Sequence, residues 1–312
     1  MIMNEPVVTI VVPTKDRTDI LLVTLDKILE AFGKIPFELI IVNDSEIPIV
    51  LPDVIAGFVR VVRNPGRGVA SARNTGASMV NSKWIWFIDD DIWLNQSLVS
   101  RVHSIIADNK EVVFNFNWIY PPDLQARILA FPFGRFLTGA GFTTMKGWCR
   151  GVPWKDNAVF PAHGLAGATL LIPKSVYFDV NGYDSTFPLA GFEDHDFSCR
   201  VLAADIPCYI DTTVVAHHNE VGKTVLNEFL KRAFDNSVTR AHAVKIGYVD
   251  QSLKYTAAVK VFYSFFSYLQ GFVKWILNNW PNIKALDPLY AFICHRMIGF
   301  YSYNGFNHGM NS

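Results

Sequence analysis

Short apolar runs alternate with helix-length segments in the N-terminal part of the chain, and this alternation constrains the fold more than any other feature. The first run is a continuous stretch of β-branched residues, which is typical of a strand buried on both faces. Apolar residues at three- and four-residue spacings predict a helix over 20–32, and a second helix is expected over 69–80. The predicted strands are Val7–Val12, Phe37–Val42, Val59–Val62 and Trp84–Ile88. Strands that alternate with helices predict a parallel sheet with helices on its faces.

Acidic residues follow three of these strands, at Asp16, at Asp44 and at Asp89–Asp91. Because ligands gather at the carboxyl ends of parallel strands, these carboxylates are expected on one rim of the sheet. Three adjacent negative charges repel one another, so a fold keeps such a triplet mostly where a cation binds. Mg²⁺ and Mn²⁺ are hard ions that prefer oxygen ligands and usually accompany phosphates. A solvated acidic turn is the alternative interpretation of the triplet alone.

The charge balance and the cysteines exclude some classes of protein. Lys+Arg and Asp+Glu both number 28, so the net charge is zero, which argues against bulk binding of nucleic acid. The four cysteines show no CxxC spacing and indicate reduced thiols in a cytoplasmic protein. We expect no signal peptide before the first strand, and no apolar stretch reaches the roughly 20 residues that a membrane span needs.

Glycines mark two segments where a ligand could approach the backbone. The loop Asn64–Gly68 lacks the Gly-Lys-Ser/Thr ending of a P-loop, but it places Arg67 and Arg73 near a helix start, which favours anions. An ordinary loop with solvated arginines is the alternative. Further along, Gly164–Pro173 is predicted to be a small-residue strand that permits close approach of a ligand.

An acidic cluster and a histidine pair are further candidates for chemistry. Glu193, Asp194 and Asp196 open a predicted helix, and mutual repulsion would raise the pKa of a carboxylate there, so that it could accept a proton near neutrality. Helix capping and salt bridging are the alternative roles. His217 and His218 end a predicted strand and could bind a metal or a phosphate, although a structural role is the commoner one for histidine.

Six motifs follow one another in order along the chain. They are Ile10–Thr14, Ile41–Asp44, Gly68–Gly76 with Ala72-Arg73-Asn74, Phe87–Asp91, Gly182–Asp184 and Glu193-Asp194. The ordered set resembles the inverting family 2 glycosyltransferases of GT-A fold. The resemblance implies an α/β fold with a Rossmann-like mixed, mainly parallel sheet flanked by helices. It implies a catalytic domain over 1–223, whose nucleotide-sugar half is 1–125 and whose acceptor half is 126–223. An aromatic-rich helical extension over 224–312 would follow.

The resemblance also implies which residues bind the nucleotide sugar. Pro13 and Thr14 would line the base and ribose, and Asp44 would accept a hydrogen bond from N3–H of uracil. Many relatives carry an aromatic residue where this chain has Lys15, which puts base stacking at that position in doubt. The full implied set is Pro13, Thr14, Arg17, Asp44, Arg73, Asp89 and Asp90.

For the reaction itself, the resemblance implies a metal site and a base. Asp91, with His217 or His218, would bind Mn²⁺ or Mg²⁺ beside the diphosphate, where negative charge develops. Asp194 would be the general base that takes the proton of the acceptor hydroxyl, and Glu193 would orient the acceptor or brace the turn.

The C-terminal part has a predicted helix over 253–279 with one narrow polar stripe. The stripe residues are Lys260, Ser264, Ser267, Gly271, Lys274 and Asn278. The rest of the helix is apolar and must be buried, either against the catalytic domain, in a homodimer, or in a membrane interface. The membrane alternative would suit a lipid-linked acceptor and a peripheral position on the inner face of the cell membrane.

Together these features predict a metal-dependent inverting glycosyltransferase. It would move a hexose or N-acetylhexosamine from a UDP-sugar, or alternatively a dTDP-sugar, to a hydroxyl of a growing surface glycan or lipid-linked saccharide. A sugar-nucleotide pyrophosphorylase is the runner-up, but it should carry a Gly-rich loop with a lysine signature where this chain has Pro13–Asp16. A catalytically silent sugar-binding subunit is the third hypothesis, and such a subunit should lack the base or metal carboxylates.

Overall fold

A computed structural model describes the chain at residues 7–57, 59–149 and 152–312. Within those residues the chain divides into two compact units. The first unit takes the described residues of Met1–Ile119, Cys149–Pro188 and Glu193–Asn219. The second takes those of Tyr120–Trp148, Leu189–Phe192 and Glu220–Ser312.

The first unit is built on one mixed sheet. Among the described residues its strands are β1 (Thr9–Thr14), β2 (Glu38–Asn43), β3 (Arg60–Arg63), β4 (Trp84–Ile88), β5 (Ile92–Trp93), β6 (Val113–Ile119), β7 (Val159–Pro161), β8 (Thr169–Pro173) and β9 (Cys208–His218). The spatial order is β3-β2-β1-β4-β8-β6-β9-β5, and β7 pairs with β9 off this path. Strands β1–β4 are mutually parallel, as the alternating pattern predicts, whereas β8, β5 and β7 pair antiparallel to their neighbours.

Strand composition follows position in this sheet. Every residue of β1 and β4 is buried, because both strands lie inside the sheet and carry apolar side chains on both faces. Strand β3 lies at the edge and is largely exposed, which accommodates its two arginines. The predicted strand Gly164–Pro173 begins only at Thr169, since the preceding residues form a turn.

Twelve α-helices lie in the described part of the chain. Those of the first unit are α1 (Thr18–Phe32), α2 (Asp53–Ala56), α3 (Gly68–Ser78), α4 (Gln96–Ala107), α8 (Lys174–Asp179) and α9 (Glu193–Ala203). Those of the second are α5 (Pro122–Leu129), α6 (Pro132–Gly139), α7 (Met145–Trp148), α10 (Leu226–Lys245), α11 (Ala257–Asn278) and α12 (Asp287–Asn311). Helix α3 packs closely on β1 and β2, since a Cβ at Gly76 would lie 2.2 Å from Val11 Cγ1.

The second unit is helical, with α12 packed along α10. A Cβ at Gly305 would lie 2.2 Å from the Phe234 carbonyl oxygen, so glycine permits this close approach of the two backbones. Arg135 fixes the start of α12 by donating to both carboxylate oxygens of Asp287, at 2.6 and 2.8 Å. The core residues are Phe133, Phe136, Leu137, Leu226, Phe229, Leu230, Leu277, Tyr290, Cys294 and Met297. Over the described ranges, no helix combines the length and the apolar character needed to span a bilayer.

Candidate active site in the first unit

The ends of β1, β2 and β4 bring the predicted site residues of three motifs together. Strand β1 lies between the other two with parallel pairing, so Thr14, Asp44 and the Asp triplet end at one rim. The Thr14 hydroxyl donates to Asp90 Oδ2 at 2.5 Å. The Asp44 backbone N–H donates to the Thr14 carbonyl at 2.9 Å. The common rim that the strand pattern predicts is therefore present.

Arg17 neutralises the two buried members of the triplet. Its guanidinium forms an ion pair with Asp90 and donates to Asp91 Oδ2 at 3.1 Å. The Asp90 side chain is fully buried, and burial raises its pKa to about 7 despite the opposing effect of Arg17. Burial also acts to raise the pKa of Asp91, but the neighbouring His218 and Arg17 outweigh it and hold that pKa well below its usual range.

His218 is the histidine beside the triplet. Its Nε2 lies 3.1 Å from Asp91 Oδ1, and both side chains are almost completely buried. The indole of Trp118 meets the imidazole edge-on at a centroid distance of 4.6 Å, which helps to fix the ring. A carboxylate oxygen and an imidazole nitrogen at this separation form a donor pair that suits Mn²⁺, and the carboxylate also suits Mg²⁺.

Arg73 lies between the triplet and the start of α9. Its guanidinium is only 3% exposed and donates to Asp89 Oδ1 at 3.1 Å, to Asp194 Oδ1 at 3.2 Å and to Glu193 Oε1 at 3.4 Å. These carboxylates outweigh the effect of burial and raise the pKa of Arg73, so the side chain stays charged. One buried cation thus links two acidic motifs that are more than 100 residues apart in sequence.

Gly167 makes room for this arginine. A Cβ at Gly167 would lie 2.2 Å from the Arg73 guanidinium carbon, so even alanine would collide with the planar group. The Gly167 N–H also donates to Asp194 Oδ1 at 3.1 Å. The small residues before β8 therefore permit close approach of an arginine, whereas the sequence pattern predicted close approach of a ligand.

The three acids of α9 have different surroundings. Glu193 is buried, whereas about a quarter of the Asp194 side chain is exposed. Burial raises the pKa of Asp194, and the opposing effect of Arg73 does not cancel this shift. Asp196 points elsewhere, accepting from Arg200 at 2.5 and 3.0 Å, so the salt-bridge alternative holds for this residue.

Residues 9–142 match the family model described as glycosyl transferase family 2. They form a family 2 glycosyltransferase domain. Comparison with curated protein sequences gives no significant match.

Three solved structures resemble the chain that carries this glycosyltransferase domain. A mannosyltransferase from Pyrobaculum calidifontis, described in complex with GDP-Man and Mn²⁺, has a TM-score of 0.52 and 14% identity over 95% of this chain and 74% of its own. Residues 1–349 of S. aureus TarS give a TM-score of 0.50 and 13% identity, over 98% of this chain and 92% of the other.

GalNAc-T7, described with UDP, GalNAc and Mn²⁺, has a TM-score of 0.50 and 12% identity, covering 77% of this chain and 51% of its own, so this chain spans about half of that protein. At these identities the three likenesses concern the fold. The predicted GT-A fold is confirmed.

Within the glycosyltransferase domain, Asp44 holds the loop Asn64–Gly68 in place through hydrogen bonds. Its Oδ1 accepts from Asn64 Nδ2 at 2.6 Å, and the Gly68 N–H lies 3.1 Å from both carboxylate oxygens. Exposed Lys15 contacts Asp44 Oδ2 at 3.2 Å. Arg67 is exposed, so the solvated-arginine alternative holds for it but not for Arg73.

Asn74 connects its own motif with the Gly182–Asp184 motif of the first unit. Its Nδ2 donates to the Tyr183 carbonyl at 2.7 Å, while its Oδ1 accepts from the Tyr183 N–H at 2.9 Å. Gly182 has a φ of +59° in the same turn, in the left-handed region that glycine favours. The Arg73-Asn74 pair therefore combines a charged contact to the acids with a structural contact to the turn.

The histidine pair shows what the sequence did not resolve. The resemblance implies a metal-binding role for His217, with His218 as the alternative. In the structure it is His218 that lies beside Asp91. Neighbouring residues of a strand point to opposite faces, but the β6–β9 ladder shifts register at Phe116/Asn117. This irregularity interrupts the alternation along β9, so the inward residue could not be counted from the start of the strand.

Proposed function

We propose that the chain is a metal-dependent inverting glycosyltransferase that moves a sugar from a UDP-sugar to a hydroxyl of a glycan or lipid-linked glycan. One observation carries this proposal. Buried Arg73 contacts Asp89 of the triplet and Asp194 of α9, within 3.2 Å of each, so the two acidic motifs form one site. A site with a cation-binding carboxylate group and a separate, partly exposed carboxylate suits nucleotide-sugar transfer.

Asp91 and His218 would hold the divalent cation. Their buried oxygen and nitrogen atoms lie 3.1 Å apart, and Arg17 supplies positive charge to Asp91 from the other carboxylate oxygen. When bound, Mn²⁺ or Mg²⁺ would offset the negative charge that develops on the departing nucleoside diphosphate. Two of the similar structures are described with Mn²⁺ and a nucleotide or nucleotide sugar, which is consistent with this assignment.

Asp194 would act as the general base. As the acceptor oxygen forms a bond to the anomeric carbon, the bond from that carbon to the diphosphate breaks on the opposite face. The hydroxyl proton passes to the Asp194 carboxylate. Its raised pKa makes this carboxylate a stronger base than an ordinary aspartate, and its partial exposure leaves it accessible. Buried Glu193 accepts a hydrogen bond from Arg73, and it would orient the acceptor or brace the turn at the start of α9.

Asp44 and Thr14 would position the nucleotide. Asp44 is a carboxylate at the rim with two oxygens and four lone-pair sites, so it can accept from a base N–H in addition to its present donors. An N3–H occurs on both uracil and thymine, which keeps a dTDP-sugar as the alternative donor. A pyrophosphorylase is disfavoured by the absence of its Gly-rich lysine loop after β1, and a silent subunit by the retained carboxylates.

The test is a panel of nucleotide sugars incubated with the purified protein and Mn²⁺. We expect release of free UDP from at least one UDP-sugar, loss of that release with EDTA, and loss with Asp194→Asn. The matched control is Asp16→Asn, because Asp16 is an exposed carboxylate at the same rim and has a φ of 53° that asparagine also adopts. Release that persists in EDTA or in Asp194→Asn would contradict the proposal.

A further inference from the structure

Helix α11 has two apolar faces. One packs inside the second unit, where Tyr263 and Leu277 are buried and Phe266 contacts Phe300 at a ring-centroid distance of 5.1 Å. The other face is exposed, and Tyr268, Val261 and Phe265 are 86%, 70% and 66% exposed. The remaining exposed apolar residues of the helix include Phe262, Leu269, Phe272 and Trp275. So large an apolar patch on one helix indicates a surface that meets another body.

The exposed apolar face is wide and continuous along the helix. At 100° per residue, its side chains from Trp275 round to Phe262 cover a sector of roughly 140°. Helix α11 has 22 residues, which corresponds to about 33 Å, so the face is long as well as wide. The polar stripe of Lys260, Ser264, Ser267, Gly271, Lys274 and Asn278 separates it from the packed face on one side.

The charge of this segment is of one sign. Residues 251–286 contain Lys254, Lys260, Lys274 and Lys284 and no aspartate or glutamate. Asp287, which follows directly, is already paired with Arg135. Two copies of α11 in contact would both carry this positive charge, with no acid on the segment to balance the lysines. An anionic surface would instead balance them.

The residue types also match a lipid interface. Tyr268 and Trp275 lie at the edge of the apolar sector next to the polar stripe, whereas Phe265 and Phe272 lie towards its middle. Tyrosine and tryptophan favour the headgroup level of a bilayer, and phenylalanine favours the adjoining acyl region. Lysines beside such a face keep their charged ends in the headgroup layer.

We propose that α11 docks in the plane of a membrane surface that contains anionic lipid, with its exposed apolar face inserted and its lysines among the headgroups. This docking does not depend on the proposed transfer reaction. The interaction combines buried apolar area with attraction of the lysines to negative headgroups.

The test measures sedimentation of the full chain with vesicles of phosphatidylcholine plus phosphatidylglycerol, and with vesicles of phosphatidylcholine alone. The wild-type protein should sediment with the anionic vesicles and much less with the neutral ones. The triple variant Phe265→Ser, Phe272→Ser, Trp275→Ser should lose sedimentation. Phe266 is left unchanged because it packs against the core of its unit.

The matched control replaces exposed apolar residues elsewhere by serine, at Ile47, Val50 and Val249, which are 74%, 80% and 72% exposed. It should sediment like wild type. Lys260→Gln and Lys274→Gln should each weaken binding to anionic vesicles about fivefold, the size expected for one lysine near such a surface. Circular dichroism and thermal unfolding verify that each variant is folded.

Three outcomes overturn the proposal. The first is a wild-type protein that does not sediment with anionic vesicles. The second is a folded triple variant that sediments as well as wild type. The third is a wild-type dimer in analytical ultracentrifugation that the triple variant converts to monomer, without vesicle binding by either, because α11 would then be the contact between copies of this chain.

Discussion

Charged side chains are usually exposed and large apolar side chains are usually buried. The site at Arg73 departs from the first tendency, and the outer face of α11 departs from the second. Around Arg73 and Arg17 the first unit buries charge, including Asp90, Asp91 and Glu193. On α11 the second unit exposes large apolar side chains. Buried charges are costly unless they are paired, and exposed apolar patches are unusual on a monomer. The comparison points to two kinds of function, since the buried charges are balanced within the protein and the exposed rings are not covered by the part of the chain that the structure describes.

Asp91→Asn gives the largest expected effect, because it tests whether the buried charges serve a cation. A neutral amide is a poor ligand for a hard ion, so transfer should be abolished and Mn²⁺-dependent nucleotide binding weakened. Transfer assays and titration calorimetry with and without Mn²⁺ measure both. Asp16→Asn removes a charge at the same rim and should leave both unchanged. Activity of Asp91→Asn at the wild-type level in EDTA would remove the metal role.

Asp194→Asn tests which carboxylate beside Arg73 takes the proton. It preserves shape but cannot accept the proton, so kcat should fall by roughly 10²- to 10⁴-fold while donor binding stays near normal. Glu193→Gln should lower kcat less, because Glu193 is buried against Arg73. A larger loss of kcat in Glu193→Gln, with both variants folded and binding donor, would reverse the assignment.

The pH profile adds a second readout for the same residue. Since burial raises the pKa of Asp194, the wild-type kcat should fall as the pH drops through a value above that of an ordinary aspartate. Asp194→Asn should lose this acid limb. An unchanged limb would show that another group titrates.

Arg73→Met tests whether the buried charges are held by one cation. Removing it leaves three carboxylates without their shared partner, so the free energy of unfolding should fall by about 3–5 kcal/mol. Chemical denaturation measures this, and exposed Arg67→Met is the control, which should change stability by less than about 0.5 kcal/mol. Adding Asp194→Asn to Arg73→Met should recover part of the loss. An unchanged free energy of unfolding in Arg73→Met would contradict the role of Arg73 as the cation that balances these acids.

Asp44→Ala gives the smallest expected effect on catalysis. A contact to the base is felt about equally in the ground and transition states, so the donor KM should rise more than kcat falls. Loss of a charged hydrogen bond of about 1.5–3 kcal/mol corresponds to roughly 10- to 150-fold weaker binding of the nucleotide sugar. Calorimetry that gives unchanged UDP affinity would remove Asp44 from the site.

The sequence predicted the rim of the sheet better than the inside of the site. Continuous apolar runs identify β1, β2 and β4, and parallel pairing then brings Thr14, Asp44 and the triplet together without further information. The partners of Arg73 were not predictable, because three-dimensional packing decides whether an arginine near a helix start is solvated or buried. A glycine such as Gly167 is a signal of close approach, but it does not say what approaches.

The α11 prediction was limited in a different way. Helical periodicity predicts a helix over 253–279 with one polar stripe. The observed helix, Ala257–Asn278, begins and ends within a few residues of those bounds. Periodicity cannot separate an apolar face that packs internally from one that stays exposed, since both contain phenylalanine, leucine and valine. Only the fold of the second unit distinguishes Phe266 from Phe265.

The close approach of Gly167 to Arg73 has a consequence for how this chain can vary. A methyl group at position 167 would occupy the space of the guanidinium, so the two positions are expected to change together in evolution. A relative with alanine or serine at 167 should carry a shorter residue at 73. Such a relative should also have lost one of the acids that correspond to Asp89, Glu193 and Asp194, or gained a basic side chain from another strand. Aligned sequences of relatives would therefore show covariation among five positions of the first unit, at 73, 89, 167, 193 and 194.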